Sequence, residues 1–429
     1  MQSAATGGEM NDSARTIEHN RLLQARSGTP WYRWGPYLSE RSWGSVREDY
    51  SANGAAWNHL THDMARSKAY RWGEDGLAGV SDQYQLLCFS LALWNGRDPI
   101  LKERAFGLIP TEGNHGEDLK EYYFYIDSTP THSYMKYLYK YPQAEYPYEW
   151  LVRENGSRNG RGPEFELLDT GLFDEDRYFD VFVEYAKDGP ESLCIRVEVC
   201  NRGPEDAEIH LLPQLWFRNI WGWGRERKRA PEIKLGAGQG DEIGLVADDS
   251  NADGLTNLPF KYSLGRRYFA ADAGGTAHFT DNETNVERLY GAEPGHGRRY
   301  YKDAFHRYIV DGETAATNPD HHGTKACLHY RRNVPARDSV VFHFRLSDQP
   351  TASAASVEEV VARGRAEADQ FYHAIHPEGA SEDERRIQRQ AFAGMMWSKQ
   401  NYIFDVDLWL KGDNPDQPPP ESRLEIRNK

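Results

Sequence analysis

The chain has 429 residues, 39% hydrophobic and 27% charged, which predicts a soluble globular protein with more than one folding unit. Lys and Arg number 51 against 66 Asp and Glu. The resulting net charge of -15 argues against nucleic acid or an anionic membrane as a partner. No apolar run reaches the roughly 20 residues that a membrane-spanning helix needs.

Residues 1–30 are polar and lack the basic patch and apolar segment of a secretory signal, so they are predicted to be a mobile tail. The four cysteines, at positions 88, 194, 200 and 327, form no CxxC pair and have no matching histidine spacing. They are expected to be reduced and mostly buried in a cytoplasmic protein. We therefore predict neither a metal site nor a cofactor.

Residues 31–350 are predicted to form antiparallel sheets. Apolar residues alternate in "YFDVFVEYAK" (178–187), "SLCIRVEVCNRG" (192–203) and "SVVFHFRLSD" (339–348). A period of two is typical of strands that bury one face. Clusters of Gly, Asp and Asn separate the segments, as expected for turns between strands. The pattern predicts a mainly β domain of two packed sheets.

The periodicity changes to that of a helix over residues 351–411. Ser356 with Glu359, and Ser381 with Glu384, match the capping box that begins a helix. Apolar residues then recur at helical spacing, at Val357, Val360, Val361, Phe371 and Ile375 in the first helix and Ile387, Ala391, Met395 and Tyr402 in the second. Residues 412–429 are polar and rich in proline, which predicts a terminal linker.

The second predicted helix is unusually apolar for a terminal helix. It carries Phe392, Met395, Met396 and Trp397. This helix either packs on the sandwich or is built to pack on further chain. In the second case these residues, with Trp409, Trp221 and Trp223, are expected to form a bare docking face that favours self-association.

The stretch from Trp34 to His59 combines three tryptophans with several ionic residues, among them Glu40, Arg47, Glu48 and Asp49. Such a mixture suits a wet, specific interface better than a dry core. We consider two interpretations: a strand plus a loop that reaches an interdomain seam, or a sheet edge with structural ion pairs.

Two further segments carry chemical groups. Glu74, Asp75 and Asp82 could supply the paired carboxyls of a glycosidase, or a solvated bend. The tryptophans of "HLLPQLWFRNIWGWG" (210–224) are either core residues or a platform for a sugar. His115, Glu117, Asp118 and His132 are spaced too loosely for a metal site. The candidates for substrate or interdomain contact are Trp34, Trp43, Arg47, Glu48, Asp49, Trp72, Glu74, Asp75, Trp221 and Trp223.

Several long motifs, in order along the chain, resemble bacterial proteins of glycoside hydrolase family 63. They include "WGPYLSERSWGSVREDYS", "ARSKAYRWGEDGLAGVSD", "LCFSLALWNGRDPILKERAFGL", "EGNHGEDLKEYYFYIDSTPTHSYMKYLYKYPQ", "ELLDTGLFDEDRYFDVFVEYAK" and "HLLPQLWFRNIWGWG". The resemblance extends from about Trp31 to Arg423.

The resemblance implies a galactose-mutarotase-like β super-sandwich, linked by helices to an (α/α)₆ barrel. In that family the barrel carries the acid Asp and base Glu that hydrolyse α-glucosides with inversion, without a metal. This chain ends after the linker helices and matches neither residue, so no catalytic residue is assigned. We expect a part of an oligosaccharide-cleaving enzyme that is inactive alone. The alternatives are a non-catalytic carbohydrate-binding or scaffolding module and, less well supported, a mutarotase-like epimerase.

Overall fold

The computed structural model is mainly β, with two large antiparallel sheets and helices toward the C-terminal end. Its description covers residues 15–42, 58–113, 118–158, 162–223, 228–253, 258, 260–293, 299–401, 403–412, 419–421 and 423–424. The predicted fold class is therefore confirmed. The predicted domain boundaries and the barrel beyond the helices stay predictions.

The first sheet has six strands, in the order β1-β2-β3-β10-β16-β14. These strands are β1 (Trp34–Gly35), β2 (Leu77–Asp82), β3 (Leu87–Trp94), β10 (Ala207–Phe217), β14 (Thr276–Thr280) and β16 (Lys325–Val334). A small separate sheet pairs β4 (Gly107–Leu108) with β5 (Asp118–Leu119).

The second large sheet has nine strands, in the order β15-β11-β12-β13-β17-β9-β8-β7-β6. Its strands are β6 (Tyr122–Ser128), β7 (Tyr134–Pro142), β8 (Tyr178–Lys187), β9 (Leu193–Asn201), β11 (Glu232–Gly236), β12 (Ile243–Asp248), β13 (Arg266–Ala271), β15 (His322–Gly323) and β17 (Ser339–Ser347).

The alternation read from the sequence matches the observed strands. In β8, Phe179, Val181, Val183 and Tyr185 are at most 1% exposed and lie in the main core. The same core takes alternate residues of β9 and β17 from this sheet, and of β3, β10 and β16 from the other. The core thus lies between the sheets, as expected when each sheet buries one face.

The outer face of the six-stranded sheet is also covered. Leu38 and Leu101 from loops and Phe305 from the short helix Ala304–Ile309 pack on side chains of β3, β10 and β16 that point away from the main core. These loops bring many charged groups into buried positions. The candidate functional site lies within this layer.

The helices are α1 (Ile17–Arg26), α2 (His62–Ala65), α3 (Tyr148–Arg158), α4 (Val286–Tyr290), α5 (Ala304–Ile309), α6 (Val357–Ile375), α7 (Glu382–Trp397) and α8 (Val406–Lys411). Short 3₁₀ turns span Pro110–Glu112, Leu167–Thr170, Thr314–Ala316 and Ala354–Ser356. In the described part of the chain, none of the helices combines the length and the hydropathy needed to cross a membrane.

Helix α1 lies inside the range predicted to be a mobile tail. Glu18 is 0% exposed and accepts hydrogen bonds from Thr131 N at 2.7 Å and from the Ser133 hydroxyl at 2.6 Å. Arg21 donates to Glu367 of α6. The structure differs from the prediction here because distant polar partners hold a segment that has little apolar surface of its own.

The two long C-terminal helices were predicted, but one cap was wrong. Ser381 and Glu384 form the expected capping box of α7. The Ser356 side chain makes no capping hydrogen bond, because a 3₁₀ turn precedes α6 and Ser353 caps that turn instead. Val357, Val360, Val361 and Phe371 are buried, whereas Ile375 is exposed.

Helix α7 packs on the edge strand β6. The face that it buries is opposite to the apolar stripe predicted from the sequence. Ala393 and Trp397 are buried in the main core, whereas Ile387 is 61% and Met395 73% exposed. Tyr402 lies outside the described residues. The predicted docking face is therefore only partly bare: Phe392 is exposed and Met396 half-buried, but Trp221, Trp397 and Trp409 are buried.

The cysteines match the expectation that they are reduced and mostly buried. Cys88, Cys194 and Cys327 are buried, Cys200 is half-buried, and all four are unbridged. Burial raises the pKa of Cys200 to about 11, so its thiolate is scarce at neutral pH.

Candidate functional site

The ten residues predicted from the sequence separate into three groups. Trp43, Arg47, Glu48 and Asp49 lie outside the described residues. Trp34 belongs to β1 and is 2% exposed within the main core, so it is not a surface residue. The remaining residues, Trp72, Glu74, Asp75, Trp221 and Trp223, lie in or next to the loop layer on the six-stranded sheet.

Glu74 and Asp75 hold the segment that leads into residues 43–57. The Ser42 N–H donates to Asp75 Oδ2 at 3.2 Å, and the Ser42 hydroxyl donates to the Glu74 carbonyl at 2.8 Å. Ser39 pairs with Asp75 in an isolated parallel bridge. We call residues 37–42 together with 74–75 the loop root. Its hydrogen bonds fix the backbone of Ser42, the last described residue before position 43.

Asp75 is an ionised acid buried among cations. Arg104 Nε donates to its Oδ1 at 3.0 Å, and the Tyr70 hydroxyl donates to its Oδ2 at 3.0 Å. Burial by itself would raise the pKa of Asp75, but the charges of Arg104 and Lys302 outweigh burial and lower this pKa. The carboxylate is therefore fixed in the charged form.

Glu74, its neighbour, has a different environment. Asn282 Nδ2 donates to Glu74 Oε1 at 2.8 Å, and the side chain is otherwise enclosed, with the residue 2% exposed. Burial raises the pKa of Glu74, and the nearby ammonium of Lys302 reduces that effect. The same burial lowers the pKa of Lys302 to about 8.

A second buried ion pair, between Glu103 and Lys325, lies beside the Asp75–Arg104 pair. Lys325 Nζ and Gln214 Nε2 donate to Glu103 Oε1 at 2.8 and 2.9 Å. Burial alone would raise the pKa of Glu103, but Lys325 and Arg104 outweigh it and lower that pKa to about 2. Loop residues are thereby tied to the outward-facing side chains of β10 and β16.

This arrangement supports positioning rather than proton transfer. An inverting glycosidase needs two carboxyls on opposite sides of a cleft, about 6.5–9.5 Å apart, with water between them. Glu74 and Asp75 are sequence neighbours, 2% and 4% exposed, and are engaged by protein donors. They are also not a solvated bend, because both residues are buried and their carboxylates are bonded by Asn282 and Arg104 from distant segments.

The aromatic candidates form a cluster above the loop root. The Arg71 guanidinium lies 4.0 Å from the centre of the Trp72 ring and 5.7 Å from that of Trp223. Phe404 contacts Trp72 edge-on at 5.2 Å, so the segment after α7 covers this ring. Trp72 is 2% exposed and leaves no open face for a sugar, whereas Trp223 is half-buried.

Trp221 borders a cavity of about 370 Å³. Its indole N–H donates to Glu283 Oε1 at 2.9 Å, and Asp281 and Thr324 also line the cavity. The residue between these acids, Asn282, turns inward to Glu74. One short segment thus connects the loop root to a polar cavity.

Sequence reasoning missed the importance of Glu40. This glutamate of the loop root is 4% exposed, and the Tyr125 hydroxyl donates to its Oε2 at 2.7 Å. Trp397 of α7 stacks on Tyr125 with ring centres 5.3 Å apart and planes 8° apart. Burial raises the pKa of Glu40 to about 7. A single chain of contacts therefore joins α7 to the loop root.

Comparison with known proteins gives a long sequence match but no activity. No protein-family model matches the chain. An uncharacterized protein of Saccharomyces cerevisiae, YMR196W, is 42% identical over 459 residues, which covers 96% of this chain. The match covers 41% of the yeast protein, so the chain spans about two fifths of the length of this relative.

Among solved structures, one similar chain is titled "Putative kojibiose phosphorylase from human microbiome". It is 10% identical, and the match covers 51% of this chain and 21% of the other, with a TM-score of 0.20. A likeness this weak supports no conclusion about fold or activity. The similarity that extends along the whole chain is the one to the longer yeast protein.

Proposed function

We propose that this chain is the non-catalytic N-terminal part of an inverting α-glucosidase of the family 63 type. In the complete enzyme it would position a helical catalytic domain and residues 43–57 around an α-linked oligosaccharide. The proposal rests on the motif resemblance, together with a two-sheet sandwich that is followed by two long helices.

The observation that carries the proposal is the loop root. Buried acids and cations fix residues 39–42, which lead into residues 43–57, yet the candidate acids among the described residues are enclosed and engaged by protein donors. Such a network suits a domain that presents a loop to a partner domain better than one that performs the chemistry.

The exposed apolar residues of α7 support an interdomain role. Ile387 and Met395 lie two turns apart on one side of the helix, at 61% and 73% exposure. Each large apolar side chain that such a surface later buries contributes roughly 1.5–3 kcal/mol. The length of the yeast relative outside the matched region is compatible with a further domain in that protein.

Complementation in trans tests the proposal. This chain and the non-matching part of the yeast relative would be produced separately and mixed, and glucose release from α-linked disaccharides and a chromogenic α-glucoside would be measured. We expect activity from the mixture and none from this chain alone. Turnover by this chain alone that Glu74→Gln abolishes, while circular dichroism shows the variant folded, would place the active site here and contradict the proposal.

The cavity beside Trp221 favours a second candidate, a carbohydrate-binding module. Its carboxylates and the neighbouring cations Lys228 and Arg229 can bond sugar hydroxyls. Calorimetric titration with glucose and short α-glucans tests this function. Saturable binding that is lost in Glu283→Ala, but retained in a Trp150→Ala control on the distant helix α3, would support it. Absence of heat with every sugar would exclude it.

A further inference from the structure

His343 lies between two carboxylates on the outer face of the nine-stranded sheet. In its strand, β17, Phe342 and Phe344 point into the main core, so His343 points outward. Its Nδ1 is 3.1 Å from Oδ2 of Asp272, and its Nε2 is 3.1 Å from Oε2 of Glu358. A neutral imidazole carries a proton on one nitrogen only, so both contacts can be hydrogen bonds at once only when the ring is protonated.

The two carboxylates belong to different parts of the fold. Asp272 directly follows strand β13, and its Oδ2 also accepts the backbone N–H of His343 at 2.8 Å. The backbone N–H of Asp272 donates in turn to the His343 carbonyl at 3.1 Å. Glu358 lies in the first turn of α6. The imidazole of His343 therefore connects the sheet to the beginning of this helix.

The beginning of α6 lacks the side-chain cap that usually fixes a helix start. The Ser356 side chain makes no capping hydrogen bond, and its hydroxyl accepts one from Nη1 of Arg345 on β17 at 2.7 Å. Val357 is fully buried and packs the inner side of the first turn against the sheet. On the outer side of this turn, the contact of Glu358 with His343 takes the place of a cap in holding the helix start to the sheet.

Other charged groups surround this contact. Arg196 is opposite His343 on the neighbouring strand β9, and its Nε lies 2.9 Å from Oε2 of Glu358. Its Nη1 lies 2.9 Å from Oε2 of Glu198. Two further ion pairs on this face join Arg345 to Asp188 and Arg365 to Glu184. When the ring is protonated, the carboxylate of Glu358 thus bridges two cations, His343 and Arg196.

The two carboxylates favour the protonated ring. The hydrogen bond to Asp272 raises the pKa of His343 above 6.5 against the opposing effect of burial, and Glu358 raises it further. Burial by itself would raise the pKa of Glu358, but hydrogen bonds from His343 and Arg196 outweigh burial and lower it. A group whose pKa is higher in the folded protein contributes stability that is complete below its unfolded pKa. For His343 this contribution is complete below pH 6.5 and is lost as the pH rises through the folded pKa.

We propose that protonated His343 fastens the first turn of α6 to the nine-stranded sheet, so that this helix start is held more firmly in weakly acidic than in weakly alkaline solution. The rest of α6 stays in place at both ends of this range, because its apolar side remains packed on the sheet. The switch acts where the chain passes from the sandwich to the long helices α6 and α7. It depends only on contacts within this chain and is independent of the proposed glycosidase role.

Two measurements on the full chain test the proposal. Nuclear magnetic resonance of histidine-labelled protein gives the pKa of His343, whose ring signal is identified by its loss in His343→Gln. Hydrogen exchange read by mass spectrometry on peptides covering residues 354–361 reports how firmly the helix start is held. We expect a pKa above 6.5 that falls in Glu358→Gln. The side chains of His343 and Glu358 are 25% and 59% exposed. For so exposed a pair, exchange corrected for the intrinsic effect of pH should rise about 1.4–5-fold between about pH 5.5 and 9 in the wild type, and stay constant in His343→Gln.

The matched control is Glu359→Gln, which removes the exposed acid next to Glu358 and should leave both the pKa of His343 and the exchange unchanged. Asp272→Asn removes the carboxylate on the sheet side and should also lower the pKa of His343. It serves as the second variant if circular dichroism shows that Glu358→Gln disturbs the helix. The proposal is wrong if His343 titrates at or below pH 6.5, or if both folded variants leave its pKa unchanged. It is also wrong if exchange at the helix start depends on pH equally in His343→Gln and the wild type.

Discussion

Replacing Glu40 by glutamine should change how the stability of this protein depends on pH. Glu40 is 4% exposed at the loop root and accepts a hydrogen bond from Tyr125. Burial, opposed by the Tyr125 hydrogen bond, raises its pKa from 4.5 to about 7. Glutamine keeps an oxygen acceptor for Tyr125 and carries no charge at any pH.

The sign and size of the effect follow from these values. The unfolded chain releases the Glu40 proton near pH 4.5, whereas the folded protein releases it near pH 7. Between pH 4.5 and pH 7 the folded state binds more protons than the unfolded state. The contribution of Glu40 to stability is therefore complete below pH 4.5 and is lost as the pH rises through 7. The loss amounts to about 3 kcal/mol, at about 1.4 kcal/mol for each pKa unit.

Denaturant unfolding of the wild type and of Glu40→Gln, followed by tryptophan fluorescence between about pH 4 and 8, measures this difference. The two proteins should be nearly equal at the acid end, and the variant should be more stable by up to about 3 kcal/mol at the alkaline end. Tyr125→Phe removes the donor to Glu40 and should be more destabilised at pH 8 than at pH 5. A stability difference between Glu40→Gln and wild type that is constant with pH would refute the reasoning.

Three other substitutions follow from the same contacts. Trp397→Ala should lower the free energy of unfolding by about 3–5 kcal/mol, because it removes a buried ring that stacks on Tyr125; denaturant titration measures this loss. Asp75→Asn should cost about 3–5 kcal/mol in the same assay by breaking the buried Arg104–Asp75 ion pair, since the other carboxylate near Arg104, that of Glu103, lies 3.9 Å away; the exposed control Asp407→Asn should cost under about 0.5 kcal/mol. Met395→Glu should leave the melting temperature unchanged and reduce self-association in sedimentation experiments; loss of stability would show that the apolar face of α7 is already packed.

Sequence patterns predicted strands and helices well where the conformation of a residue is set by residues close to it in the chain. Alternation in β8, β9 and β17 predicted these strands because one face of each is buried in the same core. The capping box of Ser381 and Glu384 involves four consecutive residues and could be read directly. The box at Ser356 failed because the chain before it forms a 3₁₀ turn that the motif does not exclude.

The candidate site was predicted only in part, because its character depends on distant partners. The sequence indicated Glu74 and Asp75 but suggested a catalytic pair or a solvated bend. Arg104 and Lys302, from other loops, make them a buried ionic network.

The sequence by itself determined the two-sheet architecture, the two long C-terminal helices and the content of reduced thiols. Periodicity of two or of 3.6 residues is a local property, and it predicts which elements form and that each has an apolar face. Tertiary structure alone decided which face of α7 is buried, because packing of Trp397 on Tyr125 of β6 turns the Ile387 and Met395 side outward. It also decided which acids are charged, since burial and the approach of distant cations set their pKa values.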